Sequence, residues 1–136
     1  MKKLFPLLLI FLFSLTAKGQ DYEQGGKIKW YFTVKAVGNN EADLVMTAKL
    51  FDHFHVYSQT HDIDKADGTG TPTTFAFEAN SNYKLIGSPR EPKPVKKNTP
   101  SIGTEIFFDK DVSFKQRIKI TGDKNFKIDM KFTFQV

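Results

Sequence analysis

From Phe126 to Val136 the chain alternates without interruption. Phe126, Ile128, Met130, Phe132, Phe134 and Val136 take one phase, and Lys127, Asp129, Lys131, Thr133 and Gln135 take the other. A period of two puts successive side chains on opposite faces of an extended strand, so one face can be buried while the other stays wet. Strands normally end in turn residues, whereas this one ends on Val136. An unpaired apolar strand invites association with other chains. The segment is therefore expected to lack a partner on one side, and the domain is expected to be interrupted at this point.

The same alternation recurs upstream. Ile28, Trp30, Phe32 and Val34 oppose Lys27, Lys29, Tyr31, Thr33 and Lys35. Gly38-Asn39-Asn40 supplies turn chemistry, and Leu44, Met46, Ala48, Leu50, Phe54 and Val56 form the inward phase of the next strand, bent near Asp52. Short strands are expected around Phe75–Phe77, Tyr83–Ile86 and Thr104–Phe108. A longer one follows, with Val112, Phe114, Ile118 and Ile120 inward and Gln116 on the same face. Four prolines fall between Ser88 and Pro100, which predicts an extended crossing segment rather than a regular ladder. No window sustains a helical period. About seven short strands separated by turns predict an all-β, immunoglobulin-like antiparallel β-sandwich in a single domain. Its core should include Trp30, Phe32, Leu44, Met46, Leu50, Phe75, Phe114, Ile118, Ile128 and Phe132.

The first nineteen residues read differently. Met1-Lys2-Lys3 is a basic start, Leu4 to Leu15 is an apolar run, and Ala17 and Gly19 are small residues before Gln20. This is the pattern of a secretory signal peptide cleaved after Gly19. The domain then comprises residues 20–136, exported to a periplasmic or extracellular space. The leader holds three of the 20 basic residues (Lys2, Lys3, Lys18) and none of the 15 acidic ones, so its loss lowers the net charge from +5 to +2. No basic stripe interleaved with aromatics remains, and nucleic acid is not an expected partner. The chain contains no cysteine, so these residues offer no thiolate and no disulfide.

Few residues suggest other chemistry. His53 and His55 lie two apart, on one face if the strand is continuous, with His61 and Asp62 nearby as further donors. A tight metal site is not expected, because no second dense ligand cluster accompanies them. Asp62-Ile63-Asp64-Lys65-Ala66-Asp67-Gly68 hints at a calcium loop, but Ala66 and Thr73 occupy places where that loop needs ligands. No nucleophile elbow, phosphate loop or zincin motif occurs. No catalytic residue and no cofactor is expected.

Several strings, taken in order, resemble a known family. They are Asp52-His53-Phe54-His55-Val56-Tyr57-Ser58-Gln59, Pro72-Thr73-Thr74-Phe75-Ala76-Phe77, and Tyr83-Lys84-Leu85-Ile86-Gly87 leading to Glu91-Pro92-Lys93-Pro94. Phe114-Lys115-Gln116-Arg117-Ile118 completes the set. From about Lys27 to Val136 the chain resembles the N-terminal periplasmic domain of the thiol:disulfide interchange protein DsbD, the disulphide bond corrector domain. The resemblance implies an immunoglobulin-like sandwich that takes electrons from a membrane-embedded donor and passes them to periplasmic redox proteins by thiol–disulfide exchange. It also implies two cysteines directly after the strand matched by Phe126–Val136, so the present chain is expected to be redox-inactive. The family's cap loop maps to Glu105, Ile106, Phe107 and Phe108, with Phe107 as the shielding aromatic. His55 and Tyr57 map to the wall of the pocket beneath it.

Two other functions compete from the residues alone. One is an extracytoplasmic immunoglobulin-like binding or adhesion module, with Tyr31, Phe51 and Tyr57 exposed to stack on a ligand. The other is a metal-binding protein using His53 and His55. The leader makes the first prediction. Mass spectrometry of the exported protein should find Gln20, open or cyclised to pyroglutamate, at the N-terminus, and an intact Met1 there would contradict it.

Overall fold

The computed structural model describes residues 2–9, 16–18, 21–123 and 125–136, the first two stretches as backbone strands. The expected cleavage point between Gly19 and Gln20 lies outside the described residues, as does Lys124 of the last turn. In chain order the described residues form twelve strands: β1 (Lys2–Leu9), β2 (Thr16–Lys18), β3 (Tyr22–Gln24), β4 (Ile28–Gly38), β5 (Glu41–Leu50), β6 (Val56–Tyr57), β7 (Thr74–Phe77), β8 (Tyr83–Arg90), β9 (Val95–Thr99), β10 (Gly103–Phe108), β11 (Val112–Ile120) and β12 (Phe126–Thr133). A single 3-10 turn, Ile63–Ala66, interrupts them. Every ladder is antiparallel.

The strands form one antiparallel β-sandwich. The larger sheet runs β2-β4-β5-β11-β8, with β3 also on β4, and a smaller sheet runs β1-β12-β7. A third sheet, β6-β10-β9, stands apart from both. The β4–β5 hairpin turns on Asn39 and Asn40, at φ 54° and 58°. Positive φ at both central residues is the geometry that matches the twist of a two-residue hairpin, and asparagine tolerates it.

The expected core positions come together. Trp30, Phe32, Leu44, Met46, Phe114, Ile118, Ile128 and Phe132 are buried in one cluster, with Leu50 and Phe75 packed against its margin. Aromatic rings carry the contact between sheets. Trp30 and Phe32 on β4 meet Phe132 on β12 at centroid distances of 5.3 and 5.4 Å, and Phe75 on β7 meets Phe114 on β11 at 5.1 Å. Burial of such rings, at roughly 25 cal/mol per Å² of apolar surface, is the main favourable term in a sandwich that has no disulfide.

Three expectations change. The final strand is not a bare edge: β12 is the centre of its sheet, with β7 on one side and β1 on the other. Lys2 lies opposite Thr133, and Leu9 opposite Phe126. Lys2–Leu9, part of a segment expected to stand outside the fold, supplies this partner, because any extended backbone can satisfy the same ladder. The strand after the first hairpin does not reach Val56. It stops at Leu50, whose N–H donates to Asp111 Oδ1 at 2.9 Å, and a turn follows at Asp52-His53.

The proline-rich segment is the third. It holds ladders at both ends, with β8 running to Arg90 and β9 starting at Val95, both at sheet edges. An edge strand tolerates proline because one side of it needs no N–H donor. Near Pro89 the ladder does shift. Gln116 alone on β11 faces Gly87–Pro89 on β8, between the pairs Lys115–Arg90 and Arg117–Ile86. The buried Gln116 side chain donates to the carbonyls of Ile86 and Gly87 at 3.3 and 3.2 Å, satisfying acceptors that the ladder leaves open.

Charge closes the outer face of the same strands. Arg117 Nε donates to Asp43 Oδ1 at 2.7 Å, Arg90 Nη2 donates to the same oxygen at 3.0 Å, and Arg117 Nη1 reaches Glu41 Oε1 at 3.4 Å. The hydrogen bond from Arg117, foremost, holds the Asp43 carboxyl below its ordinary value, against the opposing effect of burial.

The core yields the second prediction. Phe32 and Ile118 are both fully buried. Replacing either with alanine should cost about 2–5 kcal/mol in urea unfolding, and values near zero for both would show that these faces do not form the core.

Candidate functional site

The seam between β6 and β10 gathers the polar and aromatic groups that stand apart from the core. Beyond Leu50 the chain turns through His53, whose φ is 72°, before entering β6 at Val56. His53 and His55 therefore do not share a strand face, because a left-handed residue between Leu50 and Val56 breaks the alternation. The two-residue strand β6 pairs with β10, Tyr57 opposite Phe107 and Val56 opposite Phe108, and Ser58 N–H extends the ladder to Ile106 O at 2.9 Å. β9 pairs along the other side of β10, with Val95 opposite Phe107 and Lys97 opposite Glu105.

Glu105, Ile106, Phe107 and Phe108 are thus strand residues, not a loop, since β10 is hydrogen-bonded on both flanks. Alternation divides their roles. Phe108 is buried and meets Phe114 edge-on at 5.8 Å, which ties the third sheet to the core. Glu105 and Phe107 take the opposite phase and join His55 and Tyr57. The Phe107 and His55 rings are 5.1 Å apart, and those of His55 and Tyr57 are 5.2 Å apart. Tyr57 O–H donates to Glu105 Oε2 at 2.9 Å, and His55 Nε2 lies 3.3 Å from the same phenol oxygen. Burial, followed by the adjacent Glu105 carboxylate, pushes the Tyr57 phenol up to about 12, so it stays a neutral donor across the ordinary range.

The polar loop from Ser58 to Pro72 folds over this tyrosine. Thr73 Oγ1 donates to Tyr57 O at 2.6 Å. The buried His61 ring lies 4.4 Å from the Tyr57 ring. Its Nε2 meets Thr69 O at 2.8 Å, and its Nδ1 accepts from Ile106 N–H at 3.2 Å. A carbonyl can only accept and an N–H can only donate, so His61 is the neutral tautomer with its proton on Nε2. Gly70, at φ 85°, makes the cover possible: a Cβ there would stand 2.5 Å from Tyr57 Cζ and 2.8 Å from His61 Nε2. Glu91 anchors the loop start, accepting from Ser58 Oγ at 2.5 Å and from Gln59 N–H at 2.9 Å.

This geometry bears on the two competing functions. Tyr57 is only 5% exposed, so it cannot stack on a ligand in solvent, whereas Phe51 is 37% exposed. Tyr31 lies under a lysine, with Lys29 Nζ 5.0 Å from its ring. His61, considered as a further metal donor, has both ring nitrogens in hydrogen bonds. Among the described residues no three His, Cys, Asp or Glu side chains converge as metal ligands. The Asp62–Gly68 segment is a capped turn: Asp62 accepts from Asp64 N–H at 3.0 Å, and Asp67 adopts the left-handed conformation. His61, Gly70, Thr73 and Glu91 as a supporting set escaped the sequence reading. Their partners are 8 to 45 residues away, and no short-range pattern encodes such pairings.

Comparison of the chain with family models, curated proteins and solved structures finds no match.

The raised phenol makes the third prediction. A folded-state value above the ordinary 10.0 favours the folded chain below pH 10, and that contribution is lost as pH rises from 10.0 to about 12. Alkaline titration of tyrosine absorbance should show a phenol ionising near 12 that Tyr57→Phe removes. An unchanged profile in the variant would rule out the Tyr57–Glu105 arrangement.

Proposed function

We propose that the chain is an exported binding domain of the DsbD N-terminal, immunoglobulin-like type, acting in thiol:disulfide interchange by recognition. With no cysteine in its 136 residues it performs no thiol–disulfide exchange itself. Its partners are periplasmic redox proteins or a membrane-embedded electron donor. The leader pattern supports export, and the ordered strings from Asp52 to Ile118 support the resemblance.

One observation carries the reading. Tyr57 and Glu105 are 48 residues apart, yet with His55 and Phe107 their side chains meet in a single cluster on the third sheet, on the phase opposite to that of the core residue Phe108. Tyr57 and Glu105 form its floor, and the half-buried His55 and Phe107 form its accessible rim. An aromatic rim over a hydrogen-bonded floor is the make-up of a protein-recognition hot spot. Pairing of Glu105 with Lys97 and of Phe107 with Val95 on β9 gives both floor and rim a rigid backing.

Isotope-labelled protein titrated with a periplasmic thiol oxidoreductase is the fourth prediction. Amide shifts should concentrate at His55, Tyr57, Glu105 and Phe107, and Phe107→Ala should weaken binding by about tenfold or more while leaving the fold intact. Shifts that fall elsewhere, or an unaffected Phe107→Ala, would overturn the assignment of this site.

A further inference from the structure

We propose that the form cleaved after Gly19 pairs with a second copy of itself through the edge of β12, antiparallel across a two-fold axis at Met130. The proposal rests on the export reading above. In the uncleaved chain β1 covers that edge along the whole of β12, from Leu9 opposite Phe126 to Lys2 opposite Thr133. Cleavage removes β1 and leaves the strand's N–H and C=O groups on that side unpaired. It also removes β2, but β2 covers only Thr33, Val34 and Lys35 of β4. The edge of β12 is the longer one.

Nothing in β12 protects such an edge. Natural edges are blunted by proline, bulges or inward-pointing charges. β12 contains no proline, its ladders with β1 and β7 run without a register shift, and its inward residues Phe126, Ile128, Met130 and Phe132 are all apolar and buried. Its outward residues carry both signs of charge, in Lys127, Asp129 and Lys131.

Those charges select the register. A two-fold axis in an antiparallel ladder must pass through one residue, which then faces its own copy. Centring on Asp129 sets aspartate against aspartate and Lys127 against Lys131 of the partner. Centring on Lys131 sets lysine against lysine. Centring on Ile128 pairs Lys127 with Asp129 but carries Lys131, Phe132 and Thr133 past the start of the partner's β12, where they have no strand to face. Centring on Met130 pairs Asp129 with Lys131 of the partner twice and Lys127 with Thr133 twice. The inward phase then matches Phe126 to Phe134, Ile128 to Phe132 and Met130 to itself. Centring on Phe132 or Thr133 also avoids like charges but leaves most of β12 without a partner, whereas the Met130 register pairs Lys127 to Thr133 with the same span of the second copy and is apolar along its inward phase. Opposite charges directly across a ladder stabilise it, and like charges destabilise it. The product is one continuous sheet, β7-β12 of one copy joined to β12-β7 of the other.

The test expresses the full chain with its leader and collects the exported protein. Mass spectrometry reads the N-terminus, sedimentation velocity reads the assembly, and circular dichroism reads the fold. The expected result is a dimer that begins at Gln20. Asp129→Lys sets lysine against lysine at both symmetric positions and should weaken the dimer by about tenfold or more. Adding Lys131→Asp to that variant reverses both charges and should restore it. Should Asp129→Lys unfold the chain, Asp129→Cys with Lys131→Cys decides instead. The chain has no other cysteine, and mild oxidation should give a covalent dimer. A retained Met1 overturns the export reading and this proposal with it. A cleaved monomer, a charge reversal without effect, a reciprocal swap that fails to restore the dimer, or a cysteine pair that does not cross-link overturns this proposal alone.

Discussion

Trp30 sits where the two sheets of the sandwich meet, and the rest of the fold is arranged around it. Its ring lies between 5.3 and 6.4 Å from those of Phe32, Phe75, Phe114, Phe132 and Phe134, so it touches rings carried by β4, β7, β11 and the β12 segment at once. Offset and edge-on aromatic pairs are directional as well as apolar, which fixes the separation and rotation of the sheets more tightly than aliphatic packing would. The arrangement has a cost: Trp30 Nε1 is buried without a hydrogen-bond partner among the described residues. With no disulfide to restrain the unfolded chain, ring packing must offset the entropy of ordering on its own.

The candidate site depends on that core indirectly. Phe108 extends from β10 into the core against Phe114, and the alternation of β10 then necessarily turns Glu105 and Phe107 the other way. The core therefore aims the site. What rigidifies it is a separate polar set. His61 bonds to Ile106 N–H and Thr69 O, Thr73 bonds to Tyr57 O, and Glu91 bonds to Ser58 and Gln59. The bonds to Ile106 N–H, Tyr57 O and Gln59 N–H satisfy backbone groups on or beside the short β6 ladder, which is why a two-residue strand can hold its place. Gly70 permits the loop to close over Tyr57, and the resulting loss of solvent, with Glu105 alongside, is what keeps the phenol protonated.

Much of the sandwich was readable because its strands are one-sided. The phases of β4, β11 and β12 follow directly from their alternation, and Asn39-Asn40 announced the first hairpin. The misreadings have a common origin. A left-handed residue such as His53 breaks a strand that composition alone would continue. Edge position excuses prolines that would exclude a central strand. The N-terminal apolar run was expected outside the fold, yet its residues Lys2–Leu9 form a ladder with β12, a pairing with residues more than a hundred positions away that no local pattern encodes.

What the sequence by itself determined is an all-β chain, with the inward face of each long strand chosen by residues two apart and thiol chemistry excluded by the lack of cysteine. Those are local or compositional properties, set by the geometry of an extended backbone. Only the tertiary structure decided that Tyr57 is covered rather than exposed, that His61 is spent on the backbone of Ile106 and Thr69, and that Tyr57 and Glu105 share a proton donor and acceptor. Those outcomes depend on ladders and loops that join residues far apart in the chain. The energy of such pairings belongs to both partners, and no segment read alone contains both.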